Sequence, residues 1–449
     1  MASTNPTIPP TWHMPRISAV SPTGQEIPLA VGETVELSVE IEPWQTVPAE
    51  QAWQRRGQPV LSTTNTTQDW SRVMLYMPRV IRADGLYKMW YVATSGPPRP
   101  ANCSLGYATS LDGIHWEEYC GNPIVTDEDL QKAGGWGWCF QSPFVLYDLA
   151  ERKYRMWFSA LTHWEQTDDG ELVEMTQQVG YAESPDGIAW DIHPEPVTRS
   201  GRCASVIQEA DGTFTMWANS RPLGDPDPSS IYGHIMLLRS SDGIRWEEIA
   251  DVIQPEGIYK SCVYPHVIRD GPGLVMWHGG HRESLRDDVA FARGKLDDAY
   301  GDWFDLTLAR SADGREWTDR PGYPVFPPSA DKHAFDARYT STPHVLKLPG
   351  RYVLYYSARD MLEGWVQADG TPGPGRGFAY RHIGYATLDV AEHTDPTLRY
   401  AWTIDGEPLA ERSGTLHTAA LEPGTHHVTC QVENANGKAA YTWNLNVGV

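Results

Sequence analysis

The sequence predicts an all-β protein, a five-bladed β-propeller with a smaller β-sandwich at its side. Three observations predict it. A set of short phrases repeats along the middle of the chain. Trp and Tyr number 19 and 21 against 9 Phe, and Gly and Pro number 40 and 35, so the chain is rich in amphipathic rings and in turns. The two ends of the chain carry strand patterns unlike the repeats.

The clearest phrase is an Asp-Gly turn followed by Trp. It occurs as Asp112-Gly113 with Trp116, Asp186-Gly187 with Trp190, Asp242-Gly243 with Trp246, and Asp313-Gly314 with Trp317. Asp-Gly suits a tight turn that needs a positive φ, so these aspartates read as structural. A second phrase precedes each turn: Met89-Trp90, Met156-Trp157, Met216-Trp217 and Met276-Trp277, with Leu354-Tyr355 as a weaker fifth copy. These segments read as strands buried on both faces. A third phrase comes earlier still: Pro78-Arg79-Val80, Pro143-Phe144-Val145, Ala204-Ser205-Val206, Pro265-His266-Val267 and Pro343-His344-Val345. Each unit then reads as four antiparallel strands, and five such units make a propeller that closes to remove its sheet edges. The fifth unit lacks the Asp-Gly-x-x-Trp turn.

The ends differ. Residues 17–43 hold a strand pair around Val31-Gly32 and Val35. Residues 399–449 hold Trp402 before Asp405-Gly406, Leu421 before Gly424 and His426, and Asn434 before Gly437. This pattern resembles the PKD-like branch of the immunoglobulin superfamily. The C-terminal piece has too few strands for a sandwich, and the N-terminal piece supplies two more. The expected organisation is a propeller over 46–397, an immunoglobulin-like β-sandwich split between 15–45 and 398–449, and a flexible segment at 1–14. Two unrelated pieces packed on the propeller are the alternative.

Charge narrows the function. The formal charge is −22, from 36 basic and 58 acidic side chains, which argues against nucleic acid and against an anionic membrane surface. No apolar run is long enough to span a bilayer and no signal peptide is visible, so a cytoplasmic location is expected. Cys103, Cys120, Cys139, Cys203, Cys262 and Cys430 show no Cys-x-x-Cys spacing and read as free thiols. No metal motif and no cofactor motif is present. The nearest approach to a metal set is His278 and His281 with Asp287 and Asp288.

The repeats resemble the five-bladed propellers of the glycoside hydrolase superfamily that includes families 32, 43, 68, 117 and 130. The resemblance covers about residues 50 to 395. It implies a carbohydrate-active enzyme with a pocket on the propeller axis, lined by the innermost strands, which here are the Pro-x-Val phrases. Those families place carboxylates on these strands. This sequence has Met77, Ser142, Cys203, Tyr264 and Thr342 just before the Pro or Ala, and Tyr76, Gln141, Arg202, Val263 and Ser341 one position earlier. None is an acid.

The candidate chemistry is therefore assembled from other groups. His266 or His344 is the expected acid/base, as in the His-acid variation associated with family 117, supported by Tyr76 and Tyr264. Asp69, Glu256 or Asp336 is the expected carboxylate partner. Arg79, Arg202 and Arg338 are expected to hold substrate through bidentate contacts, with Gln141, Tyr339, His278 and His281 nearby and with Trp138 and Trp164 available for stacking. His266 and His344 occupy equivalent places in two blades, so a role in the repeat competes with a role in chemistry. Two other functions stay open: a lyase or small-molecule tailoring enzyme on the same scaffold, favoured by the missing acids, and a non-catalytic glycan-binding propeller. A glycan or other small molecule is the expected partner in each case.

Overall fold

The computed structural model describes residues 14–24, 26–96, 102–166, 172–198, 201–220, 233–282, 303–319, 324–362, 371, 380–391 and 395–448. It is nearly all β. Three antiparallel sheets follow one another along the chain, each of four strands in sequence order. The first runs Met74–Ala83, Leu86–Thr94, Ser104–Ser110, Glu117–Glu118. The second runs Trp138–Asp148, Lys153–Gln166, Leu172–Ser184, Asp191–Ile192, and the third Arg202–Gln208, Phe214–Ser220, His234–Ser240, Glu247–Ile253. Two further sets begin at Ser261–Asp270 and at Tyr339–Leu348, and a single parallel bridge from Phe304 to Tyr339 joins them. The last set is completed by the N-terminal strands Gln54–Arg55 and Leu61–Ser62, which pair with His382–Asp389. A strand from before the first sheet thus finishes the last one.

The five inner strands pack in a ring: each contacts the next, and Tyr339–Leu348 returns to Met74–Ala83. The recurring aromatics explain the spacing of the sheets. Trp90 Nε1 donates to the Gly187 carbonyl at 2.7 Å, Trp157 to Gly243 at 2.8 Å and Trp217 to Gly314 at 2.9 Å. Each central Trp is therefore bonded to the Asp-Gly turn of the following sheet. The turn's own Trp meets the same carbonyl, as Trp246 does at 3.0 Å. The Tyr355 hydroxyl carries the pattern from the last set back to Gly113 at 2.8 Å. Where the fifth turn is missing, Trp277 Nε1 turns to Gln51 Oε1 at 3.3 Å. The turn aspartates accept backbone N–H groups; Asp112 takes those of Ile114 and His115 at 2.8 Å each. That is the Asx-turn role the Asp-Gly pairs imply.

A second hydrophobic core lies between two other sheets, one of Ile17–Ser21, Glu36–Ile41 and Thr415–His417, the other led by Glu26–Leu29 beside Gly437–Val447. Both sheets mix N-terminal and C-terminal strands. Trp402 and Trp443 stack at 5.7 Å inside this core. The Thr23 backbone N–H and hydroxyl both reach Asp84, at 2.7 and 3.0 Å, and so tie this core to the first sheet.

Candidate functional site

Every inner strand carries the same irregularity. Its register slips between the residue that precedes the turn-over and the residue two beyond it: Tyr76/Arg79, Gln141/Phe144, Arg202/Ser205, Val263/His266 and Ser341/His344. In each slip one non-glycine residue sits at positive φ: Met77 at 54°, Ser142 at 49°, Cys203 at 53°, Tyr264 at 61° and Thr342 at 44°. Left-handed backbone costs an L-residue ~1–2 kcal/mol, so it needs support. Support comes from the neighbouring sheet. The Met77 N–H donates to Ser357 Oγ at 2.7 Å, that of Cys203 to Ser159 Oγ at 2.9 Å, and that of Tyr264 to Asn219 Oδ1 at 2.8 Å. Ser159, Asn219 and Ser357 each stand two residues beyond the central aromatic, at Trp157, Trp217 and Tyr355.

The bulges divide the predicted residues into two groups. On one side stand Arg79, Phe144, His266 and His344. Arg79 Nε donates to the Val145 carbonyl at 2.8 Å, and its Nη1 lies 2.8 Å from His344 Nδ1. His266 Nε2 lies 3.0 Å from the Val345 carbonyl and His344 Nε2 2.5 Å from the Val80 carbonyl, so both nitrogens are donors. The two rings meet edge-to-face at 4.6 Å, and the Arg79 guanidinium lies 3.8 Å over Phe144. Burial, then the Arg79 charge, pushes His266 down to about 3 and His344 well below its ordinary range. Arg79, His266 and His344 each reach a valine carbonyl of the following repeat. The bonds seal the ring, and both histidines stay neutral with Nε2–H committed to backbone. An acid/base role for either conflicts with that commitment.

On the other side lies a cluster of tyrosines and cations. Tyr76 stacks on Tyr380 with ring centres 5.2 Å apart and planes within 3°. Tyr380 meets Tyr339 edge-on at 6.0 Å and hydrogen-bonds Tyr264. The Arg202 guanidinium lies 5.6 Å from the Tyr264 ring, and that of Arg359 lies 4.3 Å from Tyr339 and 5.9 Å from Tyr380. His281 is 6.1 Å from Tyr339 and also packs on Phe304. Burial pushes Tyr264 up to about 12 and raises Tyr76 and Tyr380 further, so all three hold their protons at neutral pH. Burial, with the charges of Arg202 and Arg359, drives His281 down to about 3. Two thiols border the cluster: the Tyr76 hydroxyl is 3.7 Å from Cys103 Sγ, and Gln141 Nε2 is 3.4 Å from Cys139 Sγ.

The expected carboxylate partners lie elsewhere. Asp69 is exposed and pairs with Arg72 at 2.8 Å. Glu256 is exposed in a turn closed by the Tyr259 N–H. Asp336 is fully buried, but it is held by Arg55 and, at 2.7 Å, by the Tyr356 hydroxyl, beside Phe326 rather than in the cluster. Among the described residues no carboxylate touches Tyr264, Tyr339 or Tyr380. Asp305 pairs by register with Gly280, next to His281 and Phe304. Its side chain bonds Arg282 and the Tyr259 hydroxyl at 2.9 Å.

The other candidates divide similarly. Arg338 is buried against Tyr339, with its guanidinium 5.9 Å from the ring. His278 and His281 are three residues apart on one strand and so face opposite sides of it, which separates them as metal ligands. Asp287 and Asp288 lie outside the described residues, among which no group of three or more His, Cys, Asp or Glu is poised for a metal. Trp138 is half-buried at the start of its inner strand, and the side chain of Trp164 is outside the described residues. Tyr380 was not a candidate from sequence, because it has no counterpart in the other repeats.

No protein-family profile and no curated protein matches the sequence. Solved structures do match. One is described as "The GH130 family of mannoside phosphorylases contains glycoside hydrolases that target beta-1,2 mannosidic linkages in Candida mannan"; it aligns with a TM-score of 0.53 and 18% identity over 78% of this chain and 99% of that one. A glycosyl hydrolase from Bacteroides ovatus aligns with a TM-score of 0.54 and 18% identity, over 78% of this chain and 99% of its own. At this identity the likeness is one of fold: an all-β chain of the propeller type found among glycoside hydrolases.

Proposed function

We propose that the protein is a carbohydrate-active enzyme built as a five-bladed propeller with a split immunoglobulin-like domain, and that it cleaves a glycosidic bond at the tyrosine-lined end of the axis. The observation that carries this reading is the convergence of Tyr264, Tyr339 and Tyr380 with Arg202, Arg359 and His281. Guanidinium pairs beside buried hydroxyls suit a sugar that bears a carboxylate. Arg202 and Arg359 hold the carboxylate, the aromatic faces hold the ring, and protonated Tyr264 donates to the departing oxygen. A bound carboxylate also offsets the two guanidinium charges that depress His281 and so restores basicity to that ring while substrate is present.

A second reading, β-elimination from a uronate, is favoured by one observation: His281 and the protonated hydroxyls of buried tyrosines stand together with the Arg202 and Arg359 guanidiniums. Elimination needs one group to take the proton next to the carboxylate and another to protonate the leaving oxygen, which a His/Tyr pair supplies. Product analysis on a panel of neutral and uronate oligosaccharides tests both readings. An ultraviolet-absorbing unsaturated product means elimination, and uptake of water means hydrolysis. Binding of every ligand without any turnover removes the enzymatic proposal and leaves a glycan-binding propeller.

A further inference from the structure

A cleft of about 550 Å³ opens between the second core and the turns that end two of the inner strands. It lies away from the tyrosine cluster: the strand Tyr339–Leu348 starts at the cluster and ends at this cleft, with Lys347 and Pro349 in its wall. Pro272, in the turn after Ser261–Asp270, extends that wall. Pro43, Leu398 and Tyr400 form the facing side, and the last two are half-buried residues that pack on the second core. The volume falls within the ~300–1,000 Å³ of small-molecule sites, which favour such junctions and mostly apolar walls.

Three cations border this apolar space: Arg16, Arg269 and Lys347. A short chain of bonds draws them together. The Glu42 N–H donates to the Arg16 carbonyl at 2.9 Å, and Lys347 Nζ donates to Glu42 Oε1 at 3.2 Å and to the Arg269 carbonyl at 3.4 Å. The carboxylates nearby are already engaged. Glu42 pairs with Lys347, Glu209 pairs with Arg269, and Asp395 accepts from the Thr397 hydroxyl and from Asn434. Among the described residues the half-buried Arg16 guanidinium makes no hydrogen bond and no ion pair. The Arg269 Nε–H is buried and also lacks an acceptor. Burial, then the Arg269 charge, lowers Arg16 from its ordinary value against the pull of Glu42 and Glu209. The two guanidiniums therefore offer donors that the acids around them do not use.

We propose that this cleft binds a small aromatic carboxylate, with its carboxylate between Arg16 and Arg269 and its ring against Tyr400 and the prolines. Guanidinium pairs carboxylate in a bidentate fork, and flat apolar walls suit a flat apolar body. A sugar in the same place turns its hydroxyls toward proline and leucine side chains that offer no hydrogen bond, which separates this site from the tyrosine cluster. The ligand touches both the second core and the inner-strand turns, so it also stabilises their junction.

The test is calorimetric titration of the full chain with 2-naphthoate and with 2-naphthalenemethanol, which keeps the rings and loses the charge. Naphthoate binds one-to-one and saturably, and the alcohol binds about 10–100-fold more weakly. Arg16→Gln weakens naphthoate by a similar factor. Crystals soaked in 6-bromo-2-naphthoate and measured at the bromine edge show an anomalous peak in the cleft beside Tyr400. Absence of saturable binding, equal affinity for acid and alcohol, undiminished binding by Arg16→Gln, or a bromine peak at the tyrosine cluster with none in the cleft overturns the proposal. The soak needs no variant, so the test stands even where Arg16→Gln does not fold.

Discussion

Replacing His344 by alanine separates a sealing role from a catalytic one. The imidazole makes two bonds between the last repeat and the first: Nε2–H to the Val80 carbonyl at 2.5 Å, and Nδ1 accepting from Arg79 at 2.8 Å. Its ring is buried and also packs edge-to-face on His266. Truncation strands a buried carbonyl, costing ~1–3 kcal/mol, and unpairs an N–H of the half-buried Arg79 guanidinium, costing less. The space left behind adds ~24 cal/mol per Å³ that the surroundings fail to fill. Together these give about 2–5 kcal/mol, a large part of the ~5–15 kcal/mol typical of a folded protein. Urea unfolding followed by Trp fluorescence measures the loss, and the many buried indoles make the signal large. His344→Gln, which keeps one donor, recovers part of it. A His344→Ala protein with an unchanged unfolding midpoint but abolished turnover refutes this reasoning and returns His344 to the chemistry.

The same physics yields further expectations. Asn219→Ala removes the acceptor of the Tyr264 N–H at the bulge; it lowers the thermal midpoint by the equivalent of ~1–3 kcal/mol and reduces turnover, because Tyr264 loses its anchor. Gly187→Ala destabilises more than Gly212→Ala: both sit at positive φ, but a Cβ on Gly187 meets Trp90 at 2.7 Å, whereas one on Gly212 meets nothing within 4 Å. Denaturation midpoints rank the two. On the strand Gly424–Asn434, the Asp405 carboxylate and then the Glu422 carbonyl raise His426 above its usual 6.5. The resulting stabilisation is fully present below pH 6.5 and is lost as pH rises through the raised value. His426→Asn therefore flattens the pH dependence of unfolding in this window, and an unaltered profile contradicts the assignment.

Much of the architecture is legible in the chain because it is written in a repeat. The Asp-Gly-x-x-Trp phrases specify their own turns, and the Met-Trp segments read as strands buried on both faces, as Phe214–Ser220 is. The inner position of the Pro-x-Val phrases follows from their place in each unit. Three features are harder to read. The bulge support comes from Ser159, Asn219 and Ser357, polar residues whose meaning appears only when the next sheet is beside them. Bond partners decide between sealing and catalysis for His266 and His344, and sequence carries no partners. Tyr380 enters the cluster from the last repeat, where the pattern is weakest and periodicity offers no guide. Residue type alone suggests Asp69, Glu256 and Asp336 as acids near the rim; burial and pairing place them outside the cluster.

The central claim is that chemistry belongs to the tyrosine-lined end of the axis and not to its histidine seal. The most direct measurement is the turnover of Tyr264→Phe on a carboxylate-bearing oligosaccharide that the native protein cleaves, alongside its thermal midpoint. Losing a positioned proton donor predicts a fall in kcat of about 10²–10⁴-fold with the midpoint lowered only by the equivalent of ~1–3 kcal/mol, since the ring and its packing on Phe304 remain and only the Tyr380 hydrogen bond is lost. Retention of native turnover by Tyr264→Phe contradicts the claim.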